Sequence, residues 1–430
     1  MIGTETILIK SVRLMDPSQN LDKVGDLLLK DGKIAALGDS LQEEGARIID
    51  GSGLVAAPGL VDMHVHLRDP GQTHKEDLFS GCRAAAAGGV TSLLAMPNTN
   101  PATDSAEVVA DILRRAREAD AHVYVAAAIT KGLKGEEATD LRALRGAGAI
   151  ALSDDGRPVE NTRFLAEAMM LADEIGMKVV AHCEDLFLAK GGLMNEGVVS
   201  RKLGIQGIPS AAEDCGTARE IALAEAYNVP IHICHVSTAT SAGMIRDAKK
   251  RGVKVTAETG PHYFMLTEAQ LLRRDADYRM NPPLRTEKDR LAMIEALRDG
   301  TIDAIATDHA PHAPEEKSDF HSAPNGSIGM ETSLAAGITA LVKPGALTLM
   351  ELLAKMTCIP AGILGIPAGT LREGAPADVV LFDANEEWTV DPAKLHGKSR
   401  NTPFKGLTLT GRVKRTICGG RIVFEDCENA

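Results

Sequence analysis

Eight short apolar runs recur along the middle of the chain, most followed by a segment of helical period, and this alternation constrains the fold more than any other feature. The runs are Leu60 to His66, Val90 to Met96, His122 to Ile129, Ala149 to Ser153, Lys178 to His182, Pro230 to His235, Val253 to Glu258 and Ile302 to Thr307. Near-continuous apolar strands separated by helices read as a parallel sheet. Eight β/α units predict an α/β fold of the (β/α)8, or TIM-barrel, type, with its active site at the C-terminal ends of the strands. Helices fit the gaps: Asp104 to Glu118 behind a Thr103 or Asp104 cap, Asn161 to Ile175 ending at Gly176, and Thr286 to Arg298 ending near Gly300.

The flanks read differently. From Ile7 to Ala56 short β runs alternate with turn signals, and Leu27 to Lys30 and Lys33 to Ala36 flank Asp31-Gly32, a two-residue hairpin signal. The C-terminal end resembles it, with Ala377 to Phe382, Arg412 to Ile417 and Arg421 to Phe424 around Gly419-Gly420. Neither piece alone has much to bury, so both are expected to form one small β-sandwich. The division is then residues 1–56 (sandwich, first part), 57–366 (barrel) and 367–430 (sandwich, second part), which suits a chain of 430 residues.

Aromatic residues make up only 3%, so packing must rest on Ala, Leu, Ile and Val. A net charge of -12 without a Lys/Arg stripe excludes a nucleic-acid binder; an anionic substrate would need a local cationic pocket. No run of 18 apolar residues and no secretion signal is present, and the seven cysteines are scattered without a Cys-x-x-Cys. The expectation is a cytoplasmic protein that neither binds nor crosses a membrane.

Candidate ligands cluster at the predicted strand ends. His64 and His66, two residues apart on a strand, point the same way and suit one metal ion. Asp154 and Asp155 follow the fourth run, His182 and His235 close the fifth and sixth, and Asp308 follows the eighth. Singly, each histidine reads as a packed side chain. Together on one rim they read as a metal centre.

The blocks Val61-Asp62-Met63-His64-Val65-His66-Leu67-Arg68, Met96-Pro97-Asn98-Thr99, Ser153-Asp154-Asp155-Gly156, Ala181-His182-Cys183-Glu184, His235-Val236-Ser237, Asn281-Pro282-Pro283-Leu284-Arg285 and Ala306-Thr307-Asp308-His309-Ala310-Pro311-His312 resemble, in order, the class I bacterial dihydroorotases of the cyclic amidohydrolase superfamily. The resemblance implies a barrel with a terminal β-sandwich and one or two zinc ions, two favoured. Many relatives bridge the metals with a carbamylated lysine. Here the fourth run offers carboxylates instead, and the resemblance assigns the bridge to Asp155, with Asp154 behind it; Lys131 is the only nearby lysine that could compete.

By the same resemblance His64, His66 and Asp308 hold the first zinc and His182 and His235 the second. Asp308 moves the proton from water to the leaving nitrogen. Arg68, Asn98 and His312 would read the substrate carboxylate, with His66 beside them, while Asn281, Asn325 and Gly326 would contact the ring. Asn325 departs from the family, where an apolar or aromatic residue is expected. Arg68 paired with Asp69 or Glu76 is the competing reading.

Alternation is expected to turn Cys183 and Cys234 away from the rim as buried thiols. His74, His262, His309 and His321 are expected behind the ligands or on loops, and the polar segment Glu315 to Pro324 as a mobile loop over the site. The resemblance implies interconversion of dihydroorotate and carbamoyl aspartate by a homodimer, with association to aspartate carbamoyltransferase open. The rivals are an allantoinase or hydantoinase, or a silent relative serving that carbamoyltransferase.

Overall fold

The computed structural model describes residues 5–426. Each of the eight runs supplies a barrel strand, and these follow one another in space in chain order: Leu60–Val65, Val90–Ala95, His122–Ala127, Ala151–Leu152, Lys178–Ala181, Ile231–Ile233, Val255–Thr259 and Ala304–Ile305. All seven ladders between them are parallel. Side chain and backbone close the circle. Asp62 accepts the Thr307 backbone N–H at 3.1 Å and its hydroxyl at 2.6 Å, and the His66 N–H donates to His309 O at 2.8 Å.

Alternation divides the strands' apolar side chains between two cores. Leu93, Val123, Val125, Val179, Ile231 and Ile233 face outward and pack on helix residues such as Leu78, Val109, Leu165 and Met293. Met63, Leu94, Met96, Ala126, Ala151 and Val180 fill the lumen below the rim, closed by Ala361 and Leu364. Small residues dominate this lumen, as a chain poor in aromatics requires. Asp77, Asn161, Thr238 and Thr286 each cap a helix by accepting its third N–H. One expected cap moves: the helix Ala106–Ala116 is capped by Ser105, because Asp104 instead accepts the Gly132 N–H and Thr103 bonds Thr99.

Strands from both ends of the chain form the sandwich expected of the flanks. Its sheet runs Arg421–Glu425, Thr408–Cys418, Val379–Thr389, Val55–Pro58, Ile7–Asp16, Leu21–Lys30 and Lys33–Gly38. The strand Ile7–Asp16 breaks at Ser11, which lies at φ +56°. Its first half pairs with Arg47–Asp50 and its second with Val55–Pro58, so one strand serves two neighbours. Asp31 and Gly32 both adopt positive φ, as a two-residue hairpin turn requires. Ile9, Leu14, Leu27, Leu29, Val379, Leu381 and Ile417 form a core distinct from the barrel's. No described helix is long and apolar enough to cross a membrane. The six described cysteines are free thiols; Cys427 lies outside the described residues.

Candidate metal centre

At the C-terminal rim, His64, His66, Asp155, His182, His235 and Asp308 converge, all buried. The Asp155 carboxylate is their hub. Its Oδ1 lies 3.3 Å from His64 Nε2, 3.6 Å from His182 Nδ1 and 3.7 Å from His235 Nε2, and its Oδ2 lies 3.5 Å from His66 Nε2. Asp308 Oδ1 stands 3.0 Å from His66 Nε2 and 3.6 Å from His64 Nε2. His235 and Asp308 adopt φ of +35° and +48°, and Arg68 +59°; such backbone is costly for residues with a Cβ and is found where a site over-determines it.

The outer ring nitrogens reveal what the inner ones face. His64 Nδ1 meets Glu258 Oε1 at 3.1 Å, His66 Nδ1 meets Asn98 Oδ1 at 2.7 Å, and His182 Nε2 meets Glu184 Oε2 at 3.1 Å. Each outer partner is an acceptor, so each outer nitrogen carries the proton and the inner one offers a lone pair. Those lone pairs face carboxylates, and His182 Nδ1 also lies 3.0 Å from His235 Nε2. His64 Nε2 and Asp155 Oδ1 are buried without a hydrogen-bond partner. Lone pairs of like sign collected in a buried site need a cation, and imidazole with carboxylate suits zinc.

Asp154 turns elsewhere. It accepts the Ile129 N–H at 2.7 Å, the Thr130 N–H at 3.2 Å and the Thr130 hydroxyl. Lys131 pairs with Glu137 at the surface, remote in function from the rim. Cys183 packs in the outer core, as alternation implies. Cys234 does not. With Ile231 and Ile233 facing outward, alternation puts Cys234 in the lumen within ligand distance of His64 and Glu258, and it is the left-handed turn at His235 that breaks the pattern and brings the next side chain to the rim as well. It remains a buried thiol, its pKa pushed up to about 12 by burial. His262 and His309 are buried behind the ligands and pushed down to about 4 and 3 by desolvation, while His74 and His321 are exposed.

Beside the cluster opens a cavity of about 320 Å³, lined by Arg68, Asn98, Asn281, His312, Asn325 and Gly326 together with the rim ligands other than His64. The expected substrate residues therefore share one space with the expected ligands. Arg68 is buried, its Nε donates to Pro311 O at 3.1 Å and its Nη2 lies 3.3 Å from His312 Nε2. Among the described residues Arg68 has no carboxylate within ion-pair distance: Asp69 pairs with Arg115, and Glu76 bonds Ser80 and the Lys398 N–H. Burial, with Arg68 beside it, pushes His312 down to about 3, so its imidazole is neutral. Asn98 also donates to Asp155 Oδ2 at 3.1 Å. Asn281 donates to Glu184 and leaves its buried Oδ1 unpartnered. Asn325 Oδ1 accepts from Arg279, so that side chain serves the loop. A Cβ on Gly326 (φ +133°) would meet Ala310 Cβ at 2.7 Å.

The loop after the eighth strand is packed through cations. Arg279 donates to Phe320 O and His321 O, and Lys317 to Arg279 O and Pro324 O. Glu258, Glu184 and His232 escaped the sequence reading. Glu258 binds His64 and, at 3.2 Å, His232 Nε2. Glu258 ends its run like the ligands do, and Glu184 lies two residues past His182; strand-end position was the available signal.

Solved structures share the whole architecture. The L-hydantoinase (dihydropyrimidinase) of Arthrobacter aurescens superposes with a TM-score of 0.88 at 26% identity, covering 98% of this chain and 96% of that one. A dihydropyrimidinase of Brevibacillus agri gives 0.86 at 25% identity, covering 98% and 95%. With that fold and this rim, the chain is a cyclic amidohydrolase. The Dihydro-orotase-like family model matches residues 53–241. Curated proteins named dihydroorotase align almost end to end: one of Geobacter metallireducens at 50% identity over 97% of this chain and 99% of its own length, and one of Syntrophus aciditrophicus at 49% over 98% and 99%. The chain belongs to the dihydroorotase family.

Proposed function

We propose that the protein is a zinc-dependent dihydroorotase, interconverting (S)-dihydroorotate and N-carbamoyl-L-aspartate in pyrimidine synthesis. The observation that carries the substrate is Arg68: a buried guanidinium without a carboxylate of its own, in the same cavity as the imidazole cluster. An unpaired buried charge is costly, and an anionic substrate group relieves it. His64, His66 and Asp308 would hold one zinc and His182 and His235 a second, with Asp155 between. When bound, zinc polarises the amide carbonyl and makes water a stronger nucleophile near neutral pH.

The chain's own groups do the rest. Arg68 with Asn98 and neutral His312 binds the exocyclic carboxylate and orients the ring. Asn281 Oδ1, buried and unpartnered, accepts a ring N–H, and the backbone at Asn325 and Gly326 lines the opposite wall. Asp308 takes a proton from the attacking water on its carboxylate and returns it to the ring nitrogen as the C–N bond breaks.

Turnover of dihydroorotate, allantoin and hydantoin by the zinc-loaded protein tests the reading. Dihydroorotate is expected to be preferred; preference for either other substrate overturns it. The hydantoinase reading is the one that the solved neighbours favour, but it gives Arg68 no partner. The intact cluster argues against a silent chain. The reading carries a cytoplasmic homodimer, which sedimentation checks, and activity without added aspartate carbamoyltransferase.

A further inference from the structure

A second group of metal-binding donors lies at the other end of the barrel. His122 is the first residue of its barrel strand, Asp378 precedes the strand Val379–Thr389, and Cys418 ends Thr408–Cys418. Their ligand atoms all lie within 4.8 Å of one another. His122 Nε2 is 3.1 Å from Asp378 Oδ1, which also accepts the Gly419 N–H at 2.7 Å, so the carboxylate is fixed by backbone. Cys418 Sγ is 3.7 Å from Thr91 O, at the long end for a sulfur hydrogen bond.

We propose that His122, Asp378 and Cys418 form a second metal site, for a zinc-class divalent cation, that clamps the floor of the barrel to the C-terminal sheet. Thiolate, imidazole and carboxylate together suit borderline-soft ions and disfavour magnesium or calcium. Bonds of about 2.0 to 2.3 Å to a tetrahedral ion place donors roughly 3.3 to 3.7 Å apart, which this group reaches with small side-chain shifts. All three donors sit on or beside strands, so little ordering remains for binding. The His122 side chain is 42% exposed and that of Asp378 5%, so an ion enters past the imidazole and a water completes its shell. Binding displaces two protons to solvent, one from the Cys418 thiol and one from His122, whose imidazolium Asp378 and Cys418 otherwise favour, because both must be deprotonated to ligate.

Cobalt(II) titration of the chelator-stripped, full-length protein tests this. The rim offers imidazoles and carboxylates, so a thiolate-to-cobalt charge-transfer band reports Cys418. Because Cys234 lies within ligand distance of His64 and Glu258, Cys234→Ser is the control. The band is expected in the wild type and in Cys234→Ser, and lost in Cys418→Ser and in His122→Ala. Metal content of Cys418→Ser is expected to fall by an equivalent per chain while its turnover of dihydroorotate is unchanged. No band in the wild type, or a band and a metal content indifferent to Cys418→Ser, overturns the proposal. Should Cys418→Ser fail to fold, the half-exposed His122→Ala decides by the same band. Failure of the dihydroorotase reading would appear instead as absent wild-type turnover.

Discussion

Asp154 and Asp155 are adjacent in sequence and opposite in allegiance: Asp154 accepts hydrogen bonds from Ile129 and Thr130, while Asp155 faces His64, His66, His182 and His235. Asp155→Ala should therefore lose bound metal and activity. Asp154→Ala should keep its metal but lose about 1 to 3 kcal/mol of stability, because it orphans buried N–H groups. Metal analysis beside thermal unfolding checks both. Metal loss in Asp154→Ala with retention in Asp155→Ala would reverse the assignment.

Glu258 grips the outer nitrogen of His64 and is itself held by His232. Glu258→Gln should weaken metal retention by roughly 10- to 100-fold, since the tautomer and orientation of His64 lose their anchor. Competition with a chelator measures it; unchanged affinity would refute the role.

In the proposed reading Arg68 binds only the part of the substrate that does not react. Arg68→Ala should raise KM for dihydroorotate by roughly 10- to 100-fold, the worth of a charge-assisted hydrogen bond, with a smaller change in kcat. Hydantoin, which lacks the exocyclic carboxylate, should be handled no worse by the variant than by the wild type. An equal loss on both substrates would place Arg68 outside carboxylate recognition.

In the sandwich, Asp26 accepts Lys10 Nζ at 2.5 Å and the N–H groups of Ser11 and Leu41 at 2.9 and 2.8 Å. Burial opposes its ionisation, but those donors outweigh it and lower its pKa from the ordinary 3.8. A lowered carboxyl stabilises fully above 3.8, and the contribution fades as pH falls through the folded value. Asp26→Asn should lower Tm at pH 7, and the gap should close in strong acid. A gap that persists there would mean that the asparagine disturbs packing instead.

Much of this molecule was legible before folding. Near-continuous apolar runs set the eight strands, and the residues at their ends set the rim, because strand order alone brings those ends together. Local geometry was harder. Cys234 was expected to turn away by alternation, but with Ile231 and Ile233 outward alternation puts it in the lumen, and the left-handed His235 brings the next side chain to the rim as well. Ser105 rather than Thr103 or Asp104 caps its helix, because distant loop atoms recruit the other two.

The sequence by itself determined the barrel, the sandwich shared between the termini, and the types of donor that a metal-assisted amide hydrolase needs. Only the tertiary structure decided which of two neighbouring aspartates enters the rim, that Glu258, Glu184 and Asn98 fix the ring nitrogens, and that no carboxylate of the described residues pairs with Arg68. The physical reason is direction: sequence spacing places a backbone, but where a side chain points depends on φ, on alternation and on partners far away in the chain.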